Sequence, residues 1–104
     1  MGETNMMTRD AVIAALRKQR SALRAQGVAR VALFGSVARG EAAAGSDVDV
    51  LIEFDPEARV TLYDYAGVKR FIAELLGGRV DVIDRASLNR HIRAVVERDA
   101  VYAF

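Results

Sequence analysis

The chain has 104 residues, of which 52% are hydrophobic and 28% charged, with a formal net charge of +1 and no cysteine. This size and composition fit one globular domain with a modest core, and they exclude a disordered chain, a disulfide scaffold and a cysteine zinc site. The charge gives no general attraction to nucleic acid or membrane surfaces, and no apolar run approaches the ~20 residues of a membrane span, so we expect neither as a partner.

The N-terminal part predicts a tail followed by a helix. Residues 1–7 are expected to form a flexible tail, and they lack the basic segment followed by an apolar one that marks a signal peptide, so we expect a cytoplasmic protein. A helix is predicted from an N-cap at Thr8 to about Gln26, with Gly27 as its terminator. Its apolar residues at helical spacing are Ile13, Leu16 and Leu23.

Two strands are predicted next. The apolar run "ARVALF" (29–34) ends in a glycine and is typical of a buried strand. The segment "DVDVLIEF" (47–54) alternates, which predicts a strand with two unlike faces. One face carries Val48, Val50, Ile52 and Phe54, and the other carries Asp47, Asp49, Leu51 and Glu53.

A second long helix is predicted after these strands. Thr61 and Asp64 resemble a capping box at its start, and Gly77 and Gly78 stop it. Its apolar residues at helical spacing are Leu62, Tyr65, Ala66, Ile72, Leu75 and Leu76.

The C-terminal part predicts a strand, a helix and a short final strand. "RVDVID" (79–84) is the strand, Ser87 is expected to cap the helix, and "AVYAF" (100–104) is the last strand. Nothing in the sequence repeats and no linker divides it. We therefore expect a single α/β domain over residues 8–104.

The turn after the first predicted strand is the first candidate site. A strand that runs into Gly35-Ser36 and then a helical turn can aim backbone N–H groups and a hydroxyl at phosphate, although ordinary tight turns have the same form. The P-loop pattern fails because Glu41-Ala42 replaces the lysine and the hydroxyl residue. The dinucleotide pattern G-x-G-x-x-G is absent from the sequence.

The paired aspartates are the second candidate site. Asp47 and Asp49 project from the same face of the predicted strand, on the order of 7 Å apart at their Cα atoms. Two close carboxylates favour a hard cation, and oxygen ligands point to Mg²⁺, with Mn²⁺ as the alternative, rather than zinc. An exposed strand end with two solvated carboxylates is the competing interpretation.

A third acid on a later strand would complete a two-metal site. Asp81 lies between two valines and would face away from the core, whereas Asp84 lies at the end of the strand, where a capping or solvated role fits better. Ser46 precedes Asp47 and can orient it or cap the turn.

Taken together, these residues resemble the minimal nucleotidyltransferases of the DNA polymerase β-like superfamily, whose small members include the antitoxin of HEPN–MNT toxin–antitoxin pairs. The resemblance extends over nearly the whole chain and implies a single-domain nucleotidyltransferase fold of α+β type, with a small mixed sheet flanked by helices. The positions that carry the shared pattern G-S-x-A-R-G-x(5)-S-D-x-D are Gly35, Ser36, Ala38, Arg39, Gly40, Ser46, Asp47 and Asp49.

The resemblance implies an enzyme that transfers a nucleoside monophosphate, with ATP as the expected substrate, to a hydroxyl group. Two Mg²⁺ ions would be held by three catalytic carboxylates, those of Asp47, Asp49 and Asp81. Nucleotide binding would fall to Gly35, Ser36, Arg39 and Ser46. For Arg39 two roles stand open, a phosphate contact and an ion pair with a nearby acid such as Glu41 or Glu53 that fixes the loop.

From the length of the chain we expect no separate domain for the acceptor, so we predict that another protein brings it. By resemblance, the acceptor would be a tyrosine hydroxyl of a HEPN-family toxin, a small helical ribonuclease, in a hetero-oligomer, and the chain would act as its antitoxin. Two alternatives stand beside this interpretation. The chain could neutralise its partner by binding alone, or it could be a catalytic subunit that transfers a nucleotide to a small molecule.

Overall fold

The computed structural model describes residues 8–41 and 47–104. The expected tail at residues 1–7 and the predicted site residue Ser46 lie outside these ranges. Within them, no helix is both long and apolar enough to traverse a lipid bilayer. In chain order the elements are α1 (Arg9–Lys18), α2 (Arg20–Ala25), β1 (Val28–Phe34), α3 (Gly35–Ala38), β2 (Val48–Phe54), α4 (Leu62–Leu76), β3 (Val80–Asp84), a 3₁₀ turn (Arg85–Ser87), α5 (Arg90–Asp99) and β4 (Val101–Tyr102).

The four strands form one mixed sheet in the order β3-β2-β1-β4. β1 is antiparallel to both β2 and β4, whereas β2 and β3 are parallel. A parallel pair needs a long crossover connection, and α4 provides it. The expected small mixed sheet with flanking helices is therefore confirmed.

One face of the sheet carries the main core, which α1 and α4 cover. The alternation predicted for β2 is confirmed, because Val48, Val50 and Ile52 point into this core and Asp49 does not. Val82 of β3 is also buried there, so Asp81 points to the opposite face. The best-buried core residues are Val12, Leu16, Leu23, Val28, Val31, Leu33, Val50, Ile52, Val68 and Ile72.

α5 covers part of the opposite face. The chain leaves β3 at one edge of the sheet and enters β4 at the other, and α5 bridges that distance and contacts β1 and α3. Ala32 and Leu51 are buried although neither belongs to the main core cluster, which places them on this opposite face. The face that carries Asp49 is thus partly closed by α5.

Most of the predicted helix signals act as expected. Thr8 accepts a hydrogen bond from the backbone N–H of Ala11, and Thr61 forms a full capping box with Asp64. Gly77 ends α4 with φ 67°, a left-handed conformation that glycine adopts at little cost.

Three predictions about the helices were wrong. The first helix is two, because the chain turns at Gln19 although no glycine or proline lies there. After the turn, α1 contacts both α4 and β1 and α2 contacts β1, so tertiary packing overrides helix propensity. α5 is capped by Asn89 rather than Ser87, which lies in the 3₁₀ turn. Leu62 and Ala66, predicted on the apolar face of α4, are both exposed, and Leu62 is 84% exposed because it begins the helix beyond the edge of the core.

Candidate active site

The glycine-serine turn follows directly on β1 and lies against β2. Gly35 has φ 75° and begins α3, and the N–H of Arg39 donates to its carbonyl oxygen at 3.1 Å. A Cβ atom at Gly35 would lie 2.2 Å from Oδ2 of Asp49, which is far inside contact distance. Only glycine therefore lets this turn approach the carboxylate so closely.

The sheet aligns two of the three predicted catalytic acids. Asp49 and Asp81 are direct partners in the parallel pairing of β2 and β3, and their strands lie about 4.8 Å apart. Partners in register point to the same face, so both carboxylates leave the sheet on the side away from the main core. Asp47 lies two residues before Asp49, at the end of the sheet where the turn also lies.

Burial and neighbouring charges act together on Asp49. The pKa of its carboxyl is raised, first because the group is partly buried and then because Asp81 and Asp47 repel its charge. Arg39 acts in the opposite direction and lowers the pKa. A cation placed among these carboxylates would remove the repulsion that raises this pKa.

The donor set fits a hard divalent ion. Three carboxylates and no nitrogen or sulfur ligand are what Mg²⁺ and Mn²⁺ prefer. Within residues 8–41 and 47–104, no group of three acidic or histidine side chains is close enough together to form a ready-made metal site. Binding of a metal ion would therefore require the carboxylate side chains to rotate. For Asp47, rotation would break only an exposed 3.9 Å ion pair with Arg79, which contributes little to stability.

Asp84, the alternative candidate for the third acid, caps the turn that follows β3. Its carboxylate accepts a hydrogen bond from the N–H of Ala86 at 3.0 Å and so caps the 3₁₀ turn after β3. It pairs in register with Ile52, near the other end of β2. The structure therefore brings Asp81, and not Asp84, beside Asp49.

Arg39 is held by two acids. Its Nε donates to Glu41 at 3.0 Å and its Nη1 donates to Asp99 at 3.3 Å. These contacts raise the pKa of Arg39, and the hydrogen bond to Glu41 is the largest cause. Glu41 was one of the two partners expected from the sequence. Asp99 was missed, because it lies 60 residues away in the chain and no local pattern marks it.

The protein-family model described as "Nucleotidyltransferase domain" matches residues 16–103. The chain belongs to this family. It is 36% identical over 98 residues to the protein adenylyltransferase MntA of Thermococcus cleftensis, covering 93% of this chain and 97% of that protein. It is 35% identical over 89 residues to a Methanocaldococcus jannaschii protein provisionally named a protein adenylyltransferase, covering 84% and 89% of the two chains.

Solved structures confirm the nucleotidyltransferase fold. A structure provisionally described as a minimal nucleotidyltransferase is 38% identical, with a TM-score of 0.77 and coverage of 91% of this chain and 95% of that one. A complex of a tri-AMPylated Shewanella oneidensis HEPN toxin with its MNT antitoxin gives a TM-score of 0.63 at 17% identity, covering 89% and 71%. At that identity the likeness concerns the fold alone. The chain is an enzyme of the nucleotidyltransferase class.

Proposed function

We propose that this nucleotidyltransferase transfers AMP from ATP to a tyrosine hydroxyl of a HEPN-family toxin, in a reaction that depends on Mg²⁺, and so acts as its antitoxin. The observation that carries the proposal is the alignment of Asp49 with Asp81 beside a turn that only glycine can form. The relatives named as protein adenylyltransferases support a protein as the acceptor. The structural likeness to an MNT antitoxin bound to a HEPN toxin supports the class of partner.

The proposed reaction is a displacement at the α-phosphorus of ATP. The tyrosine oxygen forms a bond to this phosphorus, the bond between the phosphorus and the bridging oxygen of the β-phosphate breaks, and pyrophosphate leaves. Asp81, the more exposed carboxylate of the pair in register, takes the proton of the tyrosine hydroxyl. Two Mg²⁺ ions, when bound by Asp47, Asp49 and Asp81, would neutralise charge on the phosphates and on the attacking oxygen.

The remaining predicted residues would hold the nucleotide. Gly35 and Ser36 lie where the turn meets the carboxylates, so their N–H groups and hydroxyl are suited to the β- and γ-phosphates. Ser46 would orient Asp47. For Arg39 the observed pairs with Glu41 and Asp99 favour the loop-fixing role over a direct phosphate contact.

The product explains how such a chain would act as an antitoxin. A phosphodiester and an adenosine on the tyrosine would bring negative charge and bulk to the RNA-binding side of the toxin. Neutralisation would then require chemistry and not only binding.

The test is an adenylylation assay with a purified HEPN-family toxin, ATP labelled on the α-phosphate, and Mg²⁺. We expect label on the toxin and a mass increase of whole AMP units on a tyrosine-containing peptide. The double variant Asp47→Asn/Asp49→Asn should lose at least about a hundredfold in transfer rate. Chelation of divalent ions should do the same, and added Mg²⁺ should restore the rate.

Two results would overturn the proposal. A double variant that still neutralises the toxin without labelling it would show that binding alone suffices. Label that accumulates only on a small molecule would assign the chain to a different transfer reaction. Toxin bearing Phe in place of the modified tyrosine is the matched control, because it keeps the ring and removes only the acceptor oxygen.

A further inference from the structure

α5 has an unusual surface for a helix that covers a sheet. None of its residues is fully buried, and Ile92 and Val95 are 49% and 56% exposed. Its inner side rests on Arg93, Val96 and Glu97, which are half-buried. The helix therefore presents apolar side chains outward as well as inward.

The outward apolar residues form a stripe that leads to the candidate active site. Ile92, Val95 and Asp99 follow one another at spacings of three and four residues, so they share one side of α5. Asp99 ends the helix and accepts a hydrogen bond from the side chain of Arg39. The backbone N–H of Arg39 donates to Gly35, whose Cβ position lies 2.2 Å from Oδ2 of Asp49. Ile92 and Val95 thus lie on the side of α5 whose last residue, Asp99, is linked through Arg39 to the turn beside Asp49.

The acids of α5 are ion-paired, whereas an arginine beside Ile92 and Val95 is not. Both acids of α5 have internal partners, since Glu97 pairs with Arg85 and Asp99 pairs with Arg39. Arg98, one helical turn from Val95, is exposed and has no ion pair with any residue in the described ranges. The free charge beside the stripe is therefore positive.

We propose that this stripe, Ile92 and Val95 with Arg98 beside them, is the surface on which the protein acceptor docks. The fitting partner presents apolar side chains flanked by carboxylates, since the apolar residues need cover and the nearby free charge is cationic. The inference rests on the proposed function, because it takes the acceptor to be a protein. It adds the surface that would hold that acceptor beside Asp49 and Asp81.

The other exposed apolar residues are poorly placed for this task. Leu62 and Tyr63 are 84% and 90% exposed at the start of α4. α4 follows the far end of β2, and Phe54 at that end lies five residues, or about 17 Å, from Asp49 along the strand. α4 also packs on the main core, so Leu62 and Tyr63 lie at the opposite end of the sheet from the carboxylates and on the helix that covers its other face. This pair is therefore the matched control for the stripe.

The test compares two double variants that add the same charge, Ile92→Glu/Val95→Glu and Leu62→Glu/Tyr63→Glu. Each is measured for affinity to the HEPN-family toxin used above, for AMP transfer, for ATP binding and for melting temperature. We expect the α5 variant to lose at least about tenfold in toxin affinity and in transfer at sub-saturating toxin, with ATP binding unchanged. The α4 variant should match the wild type in all four measurements.

A single variant keeps the test decisive if the α5 double variant loses its fold. Arg98→Glu alters an exposed side chain outside the core, and we expect it to weaken toxin binding by about threefold to tenfold and to reduce the salt dependence of that binding. The proposal would be overturned if Arg98→Glu, or a folded Ile92→Glu/Val95→Glu protein, bound the toxin as tightly as the unsubstituted chain does. A dimer of this chain alone that the α5 substitutions dissociate would also overturn it, since a second copy would then occupy the stripe.

The outcomes separate this inference from the proposed function. If the wild type binds the toxin but transfers no AMP, the proposed function fails, and the binding data still test the surface. If the wild type transfers AMP and the α5 variant binds and transfers equally well, only the surface proposal fails.

Discussion

On the face of the sheet packed by α1 and α4, Val48, Val50 and Ile52 of β2 are at most 2% exposed. On the other face, the same strand carries Asp49, which is only partly buried, next to the buried Leu51. The cover of this face comes from α5, which contacts β1 and α3, and from the 3₁₀ turn, which contacts β2. One face is built for stability, and the other keeps charged groups together at the point where its helical cover ends.

This contrast agrees with the electrostatics of the two faces. No buried polar or charged residue occurs in the described part of the chain, so the core face holds no charge that would need an oppositely charged partner. The raised pKa of Asp49 shows that the open face holds its carboxylates at a cost in free energy. Sites that bind cations commonly accept such a cost in the free protein.

The largest expected effect is on the core face. Ile52 is fully buried among apolar side chains, and Ile52→Ala should lower the free energy of unfolding by about 2–5 kcal/mol because it leaves a cavity. Urea unfolding measures the loss. Activity per folded molecule should change little, and a large loss of activity in fully folded variant protein would erase the distinction between the faces.

The next effect concerns the turn against Asp49. Gly35→Ala would force a Cβ atom to within 2.2 Å of Oδ2 of Asp49, in addition to the strain of a positive φ. We expect a loss in transfer rate on the order of tenfold to a hundredfold. Gly77→Ala is the control, because Gly77 has a similar φ of 67° but no atom within 4 Å of its Cβ position. Equal transfer rates for the two folded variants would contradict the proposed close approach.

A smaller effect should appear in the stability of the metal-free protein. Asp49→Asn removes a partly buried charge that Asp81 and Asp47 repel, so it should raise the melting temperature by a few degrees near pH 7. Because the folded pKa is raised, the cost is present above that pKa and disappears as the pH falls below the ordinary carboxyl range. The two melting temperatures should therefore converge in acid.

Mg²⁺ gives the control for this prediction. It should raise the melting temperature of the wild type and have little effect on the variant, because a ligand stabilises only the state that binds it. If Asp49→Asn is less stable than the wild type in the absence of metal, the charge of Asp49 does not destabilise the metal-free protein.

The smallest effect separates the two roles of Arg39. If Arg39 fixes the loop through Asp99, then Arg39→Gln and Asp99→Asn should each lower kcat/KM by about twofold to fivefold, and the double variant should lose no more than the worse single one. Steady-state kinetics with varied ATP measure this. A loss for Arg39→Gln that far exceeds the loss for Asp99→Asn would instead assign Arg39 a direct phosphate contact.

Local patterns were sufficient to predict much of the fold. The alternation in β2 gave the two faces, and short-range signals at Thr8, Thr61 and Gly77 gave helix ends, because each depends on contacts within a few residues. The turn at Gln19 could not be predicted in this way. It depends on how the two helical segments pack on β1 and α4, which lie elsewhere in the sequence.

The same limit applies to the candidate site. The spacing of Asp47 and Asp49 is local and was visible in the sequence, whereas the position of Asp81 beside Asp49 depends on the register of a parallel pair. The bond between Arg39 and Asp99 joins residues that are 60 positions apart. The burial of Leu51 likewise depends on elements that are distant in the chain, such as the 3₁₀ turn that contacts β2.

The parallel pairing of β2 with β3 makes the activity of this enzyme depend on an intact α4. Asp49 and Asp81 lie on opposite sides of the α4 crossover in the chain, so no continuous fragment that lacks α4 contains both. The two acids meet only when the crossover returns the chain to the edge of β2, which makes theirs a long-range contact. A cut or a local unfolding event within α4 should therefore abolish catalysis completely and leave no half-active intermediate.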